Sequence, residues 1–70
     1  MIKIGDKIKE LRLLKGLTQA ELAEGICTQA SISNLESNTS MPSLLMLLEI
    51  GSRLNIEFSE LSDYVFQTKN

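Results

Sequence analysis

The stretch from Gly16 to Glu36, Gly-Leu-Thr-Gln-Ala-Glu-Leu-Ala-Glu-Gly-Ile-Cys-Thr-Gln-Ala-Ser-Ile-Ser-Asn-Leu-Glu, constrains the fold more than any other part of the chain. Thr18 followed three residues later by Glu21 is a capping box, in which hydroxyl and carboxylate each satisfy a backbone N–H that a helix start leaves unpaired. A short helix therefore begins near Gln19. Leu22, Ala23 and Ile26 supply its apolar face, and Gly25 interrupts it. Thr28 offers a second N-cap ahead of Ile32 and Leu35, which are spaced for a second helix. Two short helices thus share one tight turn.

The rest of the chain reads as more helix, for an all-α, compact five-helix bundle. Ile4, Ile8 and Leu11 give the first helix a buried stripe, and Gly16 ends it in the left-handed geometry that glycine tolerates. Leu17 then enters the core. After the two central helices comes the polar loop Ser37-Asn38-Thr39-Ser40. Pro42-Ser43 opens a fourth helix whose expected apolar face is Leu44, Leu47, Leu48, Ile50 and Leu54. Gly51 in mid-helix costs roughly 1 kcal/mol relative to alanine, so it points to the close approach of a neighbouring helix. Asn55 suits a helix stop, and a last short helix is expected from Ser59 to Phe66 with Leu61 and Val65 inward. One domain over residues 1–66 accounts for the sequence, with 67–70 as a frayed tail.

Composition narrows the function. With 43% hydrophobic residues, two Phe, one Tyr and no Trp among 70 residues, the core must be small and built of Leu and Ile. No apolar run approaches the roughly 20 residues of a membrane span, and Met-Ile-Lys-Ile is not the start of a signal peptide, so a cytoplasmic location is expected. The chain has no His and a single cysteine, Cys27, which excludes an internal disulfide and leaves no metal or haem ligand set. No cofactor is expected. Cys27 reads as a small packing residue at the inter-helix turn. Catalysis has no candidate: there is no His, no Gly-rich phosphate loop and no pair of carboxylates in an expected cleft.

The second of the two central helices presents Gln29, Ala30, Ser33 and Asn34, side chains of kinds able to read base edges in a major groove. Double-stranded DNA is the partner this suggests. The charge is less favourable, at −2 overall with a pI near 4.9. Up to residue 56, however, Lys3, Lys7, Lys9, Arg12, Lys15 and Arg53 balance Asp6, Glu10, Glu21, Glu24, Glu36 and Glu49. The acidic excess lies in the tail, which should face away from DNA. A monomer of this charge should bind duplex weakly, since phosphate neutralisation supplies most non-specific affinity.

Three segments, Arg12-Leu-Leu-Lys-Gly-Leu-Thr-Gln-Ala-Glu-Leu-Ala, Ser31-Ile-Ser-Asn-Leu-Glu and Pro42-Ser-Leu with the residues between them, resemble the lambda-repressor-like (Cro/C1, XRE) helix-turn-helix domain. The opening Ile-Lys-Ile-Gly and the segment from Glu24 to Ser33 are closer still to the DNA-binding heads of the Rgg, PlcR and PrgX group of peptide-pheromone receptors, which implies quorum sensing. Members of that group carry a C-terminal peptide-sensing domain, which is expected to be absent from this chain. Two features depart from the family pattern: Ile26-Cys27-Thr28 makes a shortened turn, which leaves the base-contact register open by about one position, and the second central helix has no Arg or Lys.

Each assignment has a plainer alternative. Gln29 suits bidentate pairing with adenine, and otherwise is a solvated polar residue; Ala30, Ser33 and Asn34 equally suit a solvent-facing helix. The resemblance implies that Gln19 clamps the DNA backbone from the start of its helix, where exposed N–H groups attract phosphate. Thr28, Asn38, Thr39 and Ser40 are further candidate phosphate donors, although capping alone explains Thr28. Lys7, Lys9 and Lys15 read better as solvated lysines than as peripheral contacts. Arg12 and Glu36 resemble the family's structural ion pair and are assigned to the fold. Leu45 and Met46, with Phe58, Tyr64 and Phe66, exceed what one apolar face requires and suit a dimer or partner surface as readily as a generous core. The leading expectation is a transcriptional regulator binding a two-fold operator as a homodimer. The alternative is an antitoxin or protein-interaction module on the same fold.

Overall fold

The computed structural model describes residues 3–57 and 59–61. They form four helices, α1 (Ile4–Leu14), α2 (Gln19–Ala23), α3 (Gln29–Glu36) and α4 (Leu44–Arg53), followed by a helical turn at 59–61. No strand occurs among the described residues. The core is a single cluster in which Ile4 and Ile8 of α1, Leu22 and Ala23 of α2, and Ile32 and Leu35 of α3 meet Leu47, Ile50 and Leu54 from α4 and its C-cap. Leu61 closes the cluster from the last turn. Gly51 is buried, and a Cβ there would lie 3.1 Å from Leu61 Cδ1 and 3.3 Å from the Ile56 carbonyl oxygen. Its missing side chain admits that last turn.

The helix starts follow from the sequence. Thr18 and Glu21 form the reciprocal capping box, with Thr18 Oγ1 accepting from Glu21 N at 3.0 Å and Glu21 Oε1 accepting from Thr18 N at 2.8 Å. Thr28 and Ser43 cap α3 and α4 by the hydroxyl half of that arrangement, accepting from Ser31 N at 3.1 Å and Met46 N at 3.2 Å. The ends of α1, α3 and α4 share one device. Gly16, Asn38 and Asn55 adopt positive φ (71°, 62° and 57°), and in each case two backbone bonds close the last turn, 6→1 and 5→2. For α3 these are Thr39 N to Asn34 O and Asn38 N to Leu35 O, both 3.0 Å.

Two expectations about α4 need correction. Leu44 and Leu48, assigned to its apolar face, are 61% and 44% exposed, whereas Met46, assigned to an outer surface, is half-buried against the core. The segment from Leu44 to Leu48 is apolar all round, so its pattern could not choose a face; contact with α2 and the last turn selects 47, 50, 51 and 54, an i, i+3, i+4, i+7 set. Leu13 and Leu14 on α1 are exposed, as is Leu45 at 65%. Val65, Phe58, Tyr64 and Phe66 lie outside the described residues.

Gly5 carries a constraint that no local pattern signals. It is buried where α1 crosses the end of α3, and its N–H donates to Asn38 Oδ1 at 3.0 Å. A Cβ at Gly5 would collide with the Leu35 carbonyl oxygen and lie 2.5 Å from Asn38 Oδ1. Gly5→Ala is expected to cost about 1–3 kcal/mol or more, because backbone and not a flexible side chain must yield. Urea denaturation followed by circular dichroism checks this, with a loss within a few tenths of a kcal/mol counting against the close packing of α1 on α3.

Candidate nucleic-acid interface

Helix α3 is divided sharply along its length. Ile32, Leu35 and Glu36 are buried, while Gln29, Ala30, Ser33 and Asn34 are all exposed. Gln29 with Ser33 and Ala30 with Asn34 are i, i+4 pairs, so the four side chains make one contiguous strip. It offers amide and hydroxyl groups and one methyl. Neither α2 nor α3 contains Lys or Arg.

Behind the strip sits a buried ionic network. Arg12 and Glu36 are 7% and 6% exposed; Arg12 Nε donates to Glu36 Oε2 at 2.6 Å and Nη2 to Oε1 at 3.0 Å, while Nη1 donates to the Leu17 carbonyl at 2.8 Å. The hydrogen bond to Glu36 raises the Arg12 pKa; burial works against the rise and the Glu36 charge adds to it. Gln19 Nε2 joins the network by donating to Glu36 Oε1 at 3.1 Å. One carboxylate therefore receives α1 and α2 at the last residue of α3, where its Oε1 accepts from both. Gln19, expected as a phosphate clamp, is half-buried at the start of α2, with its other amide N–H and its Oε1 not engaged by the described residues.

The remaining phosphate candidates separate. Thr28 Oγ1 accepts from Ser31 N and lies 2.9 Å from Ser31 Oγ, so it is occupied as a cap. Thr39 Oγ1 donates to the Asn34 carbonyl at 3.0 Å, and Ser40 is exposed. Asn38, exposed, has a structural task that the sequence reading did not foresee: its Oδ1 accepts from Gly5 N and its Nδ2 donates to Asp6 Oδ1 at 2.9 Å, so both ends of the amide help hold α1 to α3. Asparagine is among the few residues that tolerate the left-handed backbone this helix end needs. That position after Glu36 was the available sequence signal. A further structural residue, Arg53, carried no such signal; its guanidinium donates to the main chain at the end of α2.

Among the cations, Lys3, Lys9 and Lys15 are exposed along α1, and Lys7 pairs with Glu10 at 2.9 Å. Cys27 is half-buried against the core, and burial, reinforced by the Glu49 carboxylate, pushes its thiol pKa up. Among the described residues no group of His, Cys, Asp or Glu is arranged to hold a metal, and no helix is long and apolar enough to cross a membrane.

The sequence matches the family described as Helix-turn-helix over residues 8–61. Among solved structures, PlcR of Bacillus thuringiensis, in complex with the peptide PapR7 and DNA, is similar at 40% identity and a TM-score of 0.84 over 86% of this chain. This chain spans 21% of the PlcR chain's length. The restriction-modification controller protein C.AhdI of Aeromonas hydrophila is similar at 33% identity and a TM-score of 0.80, over 86% of this chain and 92% of that one. No curated protein sequence matches.

Two outcomes are expected. Arg12→Ala and Glu36→Ala should each cost about 3–5 kcal/mol in urea denaturation, since each leaves a buried charge uncompensated, whereas Arg12→Met combined with Glu36→Leu should recover much of the loss. Equal losses for the single and double variants would contradict that assignment. Cys27 holds its proton to higher pH in the folded than in the unfolded protein, so alkylation at mildly alkaline pH should be slower in the native protein than in urea. The same shift contributes stability below the ordinary thiol range that is lost as pH rises through the raised value.

Proposed function

The chain belongs to the Cro/C1-type (XRE) helix-turn-helix family of DNA-binding transcriptional regulators, and from that premise we propose that it reads a two-fold operator as a homodimer with α3 of each subunit in a major groove. The observation that carries this reading is the exposed strip of Gln29, Ala30, Ser33 and Asn34 on a helix capped at its start and tied down at its end. In an otherwise uncharged strip, discrimination rests on Gln29, whose amide suits adenine N6 and N7, a pairing worth about 1–3 kcal/mol. Ala30 suits a thymine methyl, and Ser33 and Asn34 suit either neighbouring base edges or sugar-phosphate. Gln19 is assigned to phosphate through its unengaged N–H, at a helix start where backbone N–H groups favour an anion.

The charge supports a dimer. With no cation on α2 or α3 and −2 overall, one copy neutralises few phosphates, and a second copy on an adjacent half-site about 34 Å away multiplies a weak contact. The likeness to PlcR, solved with both a peptide and DNA, supports reading this protein as the DNA-binding head of a peptide-responsive regulator. A second reading, an antitoxin or protein-interaction module, is favoured by the exposed apolar side chains Met41, Leu44, Leu45 and Leu48 around α4.

Selection of random duplexes at low salt by the purified protein, with Gln29→Ala in parallel and circular dichroism confirming that both fold, tests the assignment. A palindromic motif is expected, relaxed at one position per half-site by Gln29→Ala, with operator affinity reduced by about 1–3 kcal/mol. If the folded protein enriches no sequence above background, direct readout is wrong and the interaction-module reading replaces it.

A further inference from the structure

Of the four helices described, α2 ends differently. Its C-cap, Glu24, leaves helical geometry at φ −54° and ψ 123°, Gly25 turns at φ 78°, and the Ala23 carbonyl accepts from both Ile26 N (2.8 Å) and Cys27 N (2.9 Å). No backbone N–H among the described residues takes the Glu21 or Glu24 carbonyl oxygens. Both are taken by Arg53, whose Nη1 donates to Glu21 O at 3.1 Å and also to Glu24 O. Arg53 stands in the last turn of α4, 32 and 29 residues away in sequence. Its guanidinium lies alongside Gly25, where a Cβ would come within 3.9 Å of Nη2.

We propose that Arg53 is a positioning residue for DNA readout: its guanidinium reaches across from α4 to cap the C-terminal end of α2, which fixes the path of the α2–α3 turn and hence the angle at which α3 meets the groove. This rests on the proposed reading by α3. Among the described residues, the turn of Glu24, Gly25, Ile26 and Cys27 is tied to α2 by Glu24 N to Ala20 O and by the two bonds to Ala23 O, and Gly25 N has no backbone partner. A cation at the C-terminal end of a helix is favourable, and a planar guanidinium can serve two carbonyls from one nitrogen where a lysine ammonium, a point charge on a flexible stem, holds no such fixed plane. The hydrogen bonds of Arg53 go to the backbone of α2 and its C-cap, and none goes to the exposed strip among the described residues, so its role is through the turn and not on the bases.

The test compares wild type with Arg53→Met, which keeps the aliphatic stem, and Arg53→Lys, which keeps the charge. Hydrogen exchange of the Ile26 and Cys27 amides is measured against those of α1, and affinity is measured for the operator selected by the wild type and for non-specific duplex across a range of salt. Arg53→Met is expected to speed exchange at the turn selectively and to weaken operator binding about fivefold or more, the scale of one spoiled base contact, with non-specific affinity and salt slope unchanged. Arg53→Lys should fall between. Unchanged exchange at the turn, or a salt slope lowered by about 0.9, the mark of a lost phosphate contact, overturns the proposal. If Arg53→Met fails to fold, Arg53→Lys decides by the same exchange comparison. Should the wild type bind no DNA, the operator reading fails by itself, and exchange at the turn still decides whether Arg53 holds it.

Discussion

The carboxylate of Glu36 is the point on which the three N-terminal helices converge. It takes two hydrogen bonds from Arg12 and one from Gln19, so the last residue of α3 is tied at once to the body of α1 and to the first residue of α2. Coulomb attraction alone does not explain why such a pair is kept, since the desolvation of two charges offsets much of the gain. Its value here lies in direction. An apolar contact would allow α3 to slide or roll by a fraction of a turn, whereas a bidentate guanidinium with fixed geometry, itself held by the Leu17 carbonyl, permits one placement. The exposed strip on the opposite side of α3 inherits that placement.

The loops extend the same logic. Asn38 closes α3 with a left-handed turn and commits its side chain to Gly5 and Asp6, which holds the start of α1 against the end of α3. Gly5 makes the approach possible by having no Cβ. At the turn between the two helices, Arg53 takes the carbonyls where α2 stops. The turn and the far end of the two-helix unit are thus held by contacts between residues remote in sequence, in addition to the local caps. A five-residue α2 would not persist in isolation, because helix nucleation is costly and tertiary packing must supply the stability.

Electrostatically the interface is spare. Arg12 and Arg53, the two arginines, are both committed to holding the backbone and Glu36, and among the described residues the exposed lysines lie on α1 and at its two caps. On the proposed reading, a strip of amides, hydroxyls and a methyl gains little from long-range attraction, so geometry must do what charge does elsewhere. Buried polar groups devoted to the orientation of one eight-residue helix fit that reading.

Local structure was legible in the residues alone. Thr18 with Glu21, Thr28, Ser43, Gly16 and Asn55 each act through neighbours within four residues, so the helix starts and two of the stops could be read directly, as could the exposed positions of α3 and the pairing of Arg12 with Glu36 that family resemblance implied. Packing settled whatever depended on a partner far along the sequence. It chose which side of the uniformly apolar α4 faces inward, leaving Leu44 and Leu48 out and drawing Met46 in. It gave Asn38 a structural task, made Gly5 obligatory, and put Arg53 at the end of α2. The reason is one of range: capping and turn chemistry are written in adjacent residues, whereas a side chain's choice between solvent, core and a distant carbonyl is settled only when the helices pack.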